Sequence, residues 1–347
     1  MELPHVPAPA SHTPTASVQP DRKPSVDTLR QLVQADMERV NRTIVENMHS
    51  PVALIPQLAG HIVAAGGKRL RPMLTLAAAG LCDYQGDRHI GLAACVEFIH
   101  TATLLHDDVV DESDLRRGYD TANAVWGNQA SVLVGDFLFS RSFQLMVSDG
   151  SLEVLRILSD ASAVIAEGEV HQLMTTNDVE TTEAAYLEVI RCKTAQLFAA
   201  AAEIGPVVAE RPADQQAAMA TYGRDLGIAF QLVDDVLDYA AEQETLGKTV
   251  GDDFREGKAT LPVILAYQAG TEAERAFWAR TIGALEQTDA DMAEAQRLMA
   301  KHGTLGAALD RSRTYADSAR AALLTFPQNA YRDALEELID FCVERGY

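Results

Sequence analysis

Two short acidic clusters are the residues in this chain best suited to chemistry. The first closes the stretch Glu97–Gly118, EFIHTATLLHDDVVDESDLRRG, where Asp107, Asp108 and Asp111 end an apolar helical run. The second, FQLVDDVLDY, repeats the plan with Asp234, Asp235 and Asp238. Asp is a poor helix-interior residue, because its short side chain competes for backbone hydrogen bonds. Three Asp within five positions also repel one another unless a cation lies between them. On a helix, residues four apart such as Asp107 and Asp111 point to the same side. A hard divalent cation such as Mg²⁺ suits that arrangement, taking one or two carboxylates and completing its shell with water and phosphate. In a chain with 50 acidic residues, one such cluster is equally well a solvated helix end. Two copies, each following an apolar run that must be buried, are not explained that way. Facing each other, they would form a cup able to hold several Mg²⁺ ions, and clustered Mg²⁺ implies a polyphosphate ligand.

Cations stand where such a ligand needs them. Gly66-Gly67-Lys68-Arg69-Leu70-Arg71-Pro72 puts three of them at a Gly turn opening a helix, where free N–H groups and the dipole favour anions. Arg116-Arg117-Gly118 follows the first Asp cluster, and Lys193 begins KTAQLF. Lys248, in GKTVGDD, and Lys258 follow the second cluster. Singly, each reads as a surface residue; as a set they flank both clusters.

The elements that must position these groups are helices. From Ser25 onward apolar residues recur at spacings of three and four, and strand-like alternation is nearly absent. Ser25 is placed to cap a helix reading SVDTLRQLVQADMERVNRTIVENM. Breaks such as Ser50-Pro51, Gly86-Asp87, Gly127-Asn128 and Arg211-Pro212 are too short for interdomain linkers. The expectation is an all-α fold: a Pro-, Ser- and Thr-rich flexible tail over residues 1–24, then one domain of about a dozen helices over 25–347 around a central cavity.

Composition excludes several classes. A formal net charge of −21 opposes general nucleic-acid binding. No stretch approaches 18 uninterrupted apolar residues, so no membrane span is expected, and no secretory signal is apparent. The four cysteines form no CxxC pair and read as buried thiols of a reducing, cytoplasmic setting. Gly247-Lys248-Thr249 resembles the end of a phosphate-binding P-loop, but Glu242 stands where that loop needs Gly. Glu97-x-x-His100 is of the kind that binds di-iron in helical bundles, which makes an iron protein a weaker alternative. There is no G-x-S-x-G motif to mark a covalent serine nucleophile.

GGKRLRP, the first DDxxD with its RRG, KTAQLF, FQLVDDVLD and GKTVGDDFREGKATLP, in that order, resemble the trans-isoprenyl diphosphate synthases, or polyprenyl synthetases. The resemblance runs from about Ser25 to the C-terminus. It implies an orthogonal helical bundle of isoprenoid synthase type, usually a homodimer. The activity it implies is Mg²⁺-dependent elongation of an allylic diphosphate by isopentenyl diphosphate, with about three Mg²⁺ ions per loaded site. Carried over by motif, Asp107, Asp111 and Asp234 are the direct metal ligands, with Asp108, Asp235 and Asp238 in support. Arg116, Lys193, Thr194, Gln231, Lys248 and Lys258 would hold the allylic diphosphate. Gly67, Lys68, Arg71, His100 and Arg117 would hold isopentenyl diphosphate. The family's last proton goes to the departing diphosphate, so no protein base is required, and none is apparent here.

Product length follows from what lies below the first cluster, since successive helical turns step down the wall by about 5.4 Å. Ala102 and Thr103, expected on the metal-facing side one turn deeper, are small where short-chain members carry an aromatic. That implies a long product, octaprenyl to decaprenyl, of the kind used as quinone side chains. Phe139, Phe143 and Met146 are candidates for the cavity floor, although each also reads as core packing. Release of such a product implies a peripheral membrane contact. A geranylgeranyl synthase, a non-catalytic subunit of a heteromeric synthase and a terpene cyclase are the alternatives.

Overall fold

The computed structural model describes residues 24–64, 67–116, 118–240 and 251–344. Within them the chain is all-α apart from one small hairpin. In order, the helices are α1 (Asp27–Leu32), α2 (Gln34–Asn47), α3 (Leu54–Ala64), α4 (Leu70–Leu81) and α5 (Arg88–Val110). The hairpin pairs β1 (Leu115–Arg116) antiparallel with β2 (Tyr119–Asp120). Then come α6 (Ala122–Trp126), α7 (Asn128–Asp149), α8 (Leu152–Thr175), α9 (Glu183–Ile190), α10 (Gln196–Val208) and α11 (Ala213–Ala240). Beyond them lie α12 (Asp252–Arg255), α13 (Leu261–Ala269), α14 (Glu272–Trp278), α15 (Asp291–His302), α16 (Thr304–Leu323) and α17 (Ala330–Glu344). Short helices such as α6 and α12 take the number beyond the dozen expected. The tail, except for Pro24, lies outside the described residues.

The single helix expected after Ser25 is two. Val33 leaves helical geometry (φ −101°, ψ 7°) while its side chain stays buried, so the chain bends between α1 and α2 without losing its apolar stripe. The Ser25 hydroxyl accepts the N–H of Asp27 at 3.2 Å, but the N-cap residue of α1 is Val26, one position later than expected, and its apolar side chain forms no capping hydrogen bond.

The centre of the bundle is made by α5, α10 and α11, which are buried on nearly every side. From Ile90 to Ile99 all but one residue of α5 is buried, and α10 is buried continuously from Leu197 to Ala202. Helix α7 lies along α5, α4 and α8 flank α10, and α16 lies along α11. Helix α7 is long and apolar enough to cross a membrane by length and composition. It carries Asp136 and Arg141 in its middle and packs lengthwise on α5, as a bundle helix does.

Glycines let the central helices touch backbone to backbone. A Cβ on Gly227 of α11 would lie 2.7 Å from Ala195 Cα, closer than side-chain atoms pack. Gly223, one turn earlier, faces Phe198 of α10 in the same way. Ala195 ends a π-helical turn, Arg191–Ala195, between α9 and α10. Such turns add a residue to a helix, re-aim side chains and concentrate at functional sites. Here the turn carries Lys193 and Thr194. Gly227→Ala should therefore cost about 1–3 kcal/mol, as overpacking of a filled core does. Chemical denaturation would read the loss; an unchanged midpoint would mean that the helices part freely.

Candidate active site

The C-terminal part of α11 borders a cavity of about 130 Å³, whose walls include Lys193, Thr194, Gln231, Asp235, Asp253 and Lys258, and the end of α5 adjoins it through ion pairs to Lys193 and Lys258. Both Asp clusters thus sit at helix C-termini, where the macrodipole disfavours negative charge. Lysines answer them across the gap. Lys193 Nζ lies 3.8 Å from Asp107 Oδ2, and Lys258 Nζ lies 3.3 Å from Asp111 Oδ2. Lys193 also donates to Glu169 Oε2 of α8 at 2.7 Å, and Lys258 pairs with Glu256.

The middle Asp of each cluster is buried and held by its own hydrogen bonds. Asp108, buried, accepts from Arg116 Nε at 2.7 Å, and its own carbonyl accepts from Asn123 Nδ2 at 3.2 Å. It ties the end of α5 to the hairpin and engages the Arg116 guanidinium. Asp235, also buried, accepts from the Tyr186 hydroxyl and from Gln231 Nε2 at 2.7 Å. Thr194 Oγ1 donates to Gln231 Oε1 at 3.1 Å, which turns the amide's N–H₂ towards Asp235. Asp238 accepts the backbone N–H groups of Asp252 (3.2 Å) and Asp253 (3.0 Å), so it holds the start of α12. Asp234 of the same cluster is half-buried.

Burial makes four carboxylates here, Asp107, Glu169, Asp235 and Asp253, hold protons more firmly than usual. Asp107 is raised by burial and by Asp111, against the pull of Lys193. Glu169 is raised by burial and by Asp107, again against Lys193. Asp235 rises to about 7 because burial outweighs its Tyr186 and Gln231 hydrogen bonds. Half-buried Asp253 is pushed well up by loss of solvation and by Asp235 and Asp238. Burial works against the Lys258 charge, but Asp111, Asp253 and Glu256 prevail and hold its proton more tightly.

Buried hard-oxygen groups short of positive charge are a donor set that fits a divalent cation. Among the described residues no three ligating side chains converge on one point. Each cluster therefore offers the one or two carboxylates that Mg²⁺ takes when water and phosphate complete its shell.

A second group of basic residues stands at the start of α4 and on the facing part of α5. Arg71 of α4 contacts His100 of α5 (Nη1 to Nε2, 3.2 Å) and stacks over the Phe198 ring at 4.4 Å. Gly67 and Lys68 are exposed just before α4, with Lys68 Nζ 4.9 Å from the Phe341 ring centre. Arg69, the residue before α4, adopts the left-handed region (φ 52°) and pairs with Glu97 at 2.5 Å. Both members of Glu97-x-x-His100 are thus engaged by arginines. The other such pair in the described residues, Glu46 and His49, is exposed at the end of α2, so no bundle core holds an iron site of that type. Arg117 and Lys248 lie outside the described residues.

Below Asp107, Thr103 and His100 share its half-buried stripe of α5, whereas Ala102, about 140° round at some 100° per residue, does not. Ala102 is 1% exposed and packed in the core, a correction to its expected metal-facing placement. On α7, Met146 is buried, while Phe143 is 37% exposed and meets Phe139 edge-on at 5.4 Å. Phe143 therefore faces outward in the single chain, away from a floor position.

Sequence reading missed Glu169, Tyr186 and Asp253. Glu169, Gln172 and Thr176 recur at spacings of three and four near the end of α8, a polar stripe on an otherwise apolar helix and the signal that was available. Asp253 stood in the quoted GDD triplet with no role assigned.

A family model for polyprenyl synthetase matches residues 52–299. The octaprenyl diphosphate synthase of Escherichia coli (strain K12) is 49% identical over 323 residues, 92% of this chain and 99% of that protein. A polyprenyl synthase from Caulobacter crescentus CB15, solved complexed with calcium and isoprenyl diphosphate, has a TM-score of 0.91 and 56% identity. It covers 94% of this chain and 100% of its own. A decaprenyl diphosphate synthase from Rhodobacter capsulatus follows at TM-score 0.90 and 54% identity, covering 93% of this chain and 100% of its own. The chain belongs to the polyprenyl synthetase family and is a trans-prenyltransferase.

The raised carboxylates give a pH expectation with a definite sign. Between about pH 4, where a free Asp ionises, and pH 7, folded Asp235 keeps a proton that the unfolded chain has lost. The folded state then binds more protons, so the metal-free protein should lose stability as pH rises through that window. Melting curves at pH 5 and pH 8, with and without a divalent cation, check this. A metal-free protein equally stable at both would count against the buried, uncompensated carboxylates.

Proposed function

We propose that this protein condenses an allylic diphosphate, farnesyl or geranylgeranyl, with successive isopentenyl diphosphates into a long-chain all-trans polyprenyl diphosphate for quinone side chains. The observation that carries the reading is that Lys193 and Lys258 line a cavity with Asp235 of the second cluster while pairing with Asp107 and Asp111 of the first. A carboxylate-lined gap crossed by ammonium groups matches a ligand that is both metal-bound and polyanionic. Relatives named as octaprenyl and decaprenyl diphosphate synthases support the long product.

In this reading Asp107, Asp111 and Asp234 hold Mg²⁺. Bound there, the metal supplies Lewis-acid charge to the departing diphosphate. Asp235 is held in orientation by Tyr186 and Gln231, and Asp238 anchors the start of α12. Lys193, Thr194, Gln231, Lys258, Arg116 and Lys248 clamp the allylic diphosphate, stabilising charge as the C–O bond breaks. Gly67, Lys68, Arg71, His100 and Arg117 hold isopentenyl diphosphate, whose double bond attacks the allylic cation. The apolar walls of α5 and α10 keep water from that cation. We assign residues 25–347 to one catalytic domain working in the cytoplasm, with a peripheral membrane contact for product release.

Two features bear on assembly and product. Val132, Leu133, Phe143 and Val147 stand exposed along α7, and we infer that a second copy covers them in a homodimer. Thr103, on the Asp107 stripe, and Ala102 behind it leave room for a long chain, with Phe139 and Met146 further down.

Incubation with Mg²⁺, farnesyl diphosphate and labelled isopentenyl diphosphate should yield octaprenyl to decaprenyl products, and chelation should abolish them. Absence of any linear elongation product would sink the reading. Thr103→Phe should shorten the product while turnover persists; the same chromatogram decides, and an unchanged ladder would remove Thr103 from length control. Leu133→Glu with Val147→Glu should turn a dimer into monomer by light scattering, and a monomeric parent protein would refute the inferred dimer.

A further inference from the structure

Lys193 has two carboxylate partners at unequal distances. Its Nζ donates to Glu169 Oε2 at 2.7 Å and stands 3.8 Å from Asp107 Oδ2. The shorter link exists because α8 is pressed against the π-helical turn that carries Lys193. A Cβ on Gly168 would lie 2.6 Å from Cys192 Cβ and 3.0 Å from the Lys193 backbone nitrogen. With glycine at that point, the next residue of α8, Glu169, reaches the ammonium group directly.

Packing alone does not hold Lys193 away from Asp107. A lysine ammonium is a compact charge on a flexible four-carbon stem. The attraction between opposite charges strengthens as they leave water, and both side chains here are largely buried. Without a competitor, the ammonium would close the remaining gap and pair with Asp107. That pairing would neutralise a carboxylate needed for the cation and draw the lysine away from the diphosphate clamp.

We propose that Glu169 is a positioning residue that holds the Lys193 ammonium off Asp107, leaving that carboxylate open to a divalent cation. The proposal rests on the reading of Asp107 as a metal ligand. Glu169 also carries a charge of its own near the cation, and a direct effect of that charge is the competing explanation. The two differ in whether Lys193 is required.

Mn²⁺ binding to the full chain, followed by electron paramagnetic resonance without substrate, separates them through a double-mutant cycle. The cycle compares the parent protein, Glu169→Gln, Lys193→Ala and the double variant. Glutamine keeps the shape and an acceptor but loses the charge. Glu169→Gln should weaken Mn²⁺ binding about tenfold, whereas in the Lys193→Ala background it should change binding by about twofold or less. Equal weakening in both backgrounds, or none in either, overturns the proposal. If Glu169→Gln lowers the melting midpoint, Glu169→Asp, which keeps the charge, should bind Mn²⁺ like the parent; failure to do so also overturns it. A parent protein that binds no Mn²⁺ fails the metal reading and this inference together. A parent that binds Mn²⁺ but elongates no prenyl chain fails only the proposed function.

Discussion

The constraint on which the structure depends is the burial of carboxylates at the C-terminal ends of two central helices. Each end already carries partial negative charge from the helix macrodipole, so the Asp clusters add like charge to like. Removing them from water raises the cost further. The fold offsets part of it with Lys193 and Lys258, which reach across from segments outside α5 and α11. The offset is incomplete, and Asp107, Glu169, Asp235 and Asp253 all hold protons more firmly than usual. A protein gains nothing in stability from such an arrangement. It gains a place where a cation and a polyanion are both welcome.

The scaffold follows from holding that gap at a set width. Helices α5, α10 and α11 are buried nearly all round, so neither acidic end can retreat to solvent. Gly223 and Gly227 bring α11 against α10 and the π-helical turn, and Gly168 brings α8 against the same turn from another side. The turn is thus gripped by two helices, and it carries the lysine that faces Asp107. Around it, other carboxylates act as braces: Asp108 through Arg116, Asp238 through the backbone of α12, and Asp235, which also lines the cavity, through Tyr186 and Gln231.

Much of this was legible beforehand because it is local. Three-and-four spacing of apolar residues specifies helix whatever the tertiary context. Two Asp clusters after apolar runs signal a cation because no other arrangement tolerates them. The placement of basic residues around them pointed to a polyphosphate ligand, and the order of the motifs resembled the family that the family model matches. What could not be read was pairing. Glu169 is one glutamate in an acidic chain, and its link to Lys193 spans 24 positions. The bend at Val33 keeps the apolar stripe intact, so periodicity alone does not reveal it.

The sequence by itself therefore determined that the protein is helical, that it carries two acidic helix ends and that basic residues attend them, since each is written in neighbouring residues. Tertiary structure alone decided which carboxylates face the gap and which act as braces. It turned Thr103 to the Asp107 stripe and Ala102 into the core, turned Phe143 outward, and set Lys193 between Glu169 and Asp107. These outcomes depend on how closely separate helices approach, and that distance is set where glycine backbones meet across the bundle.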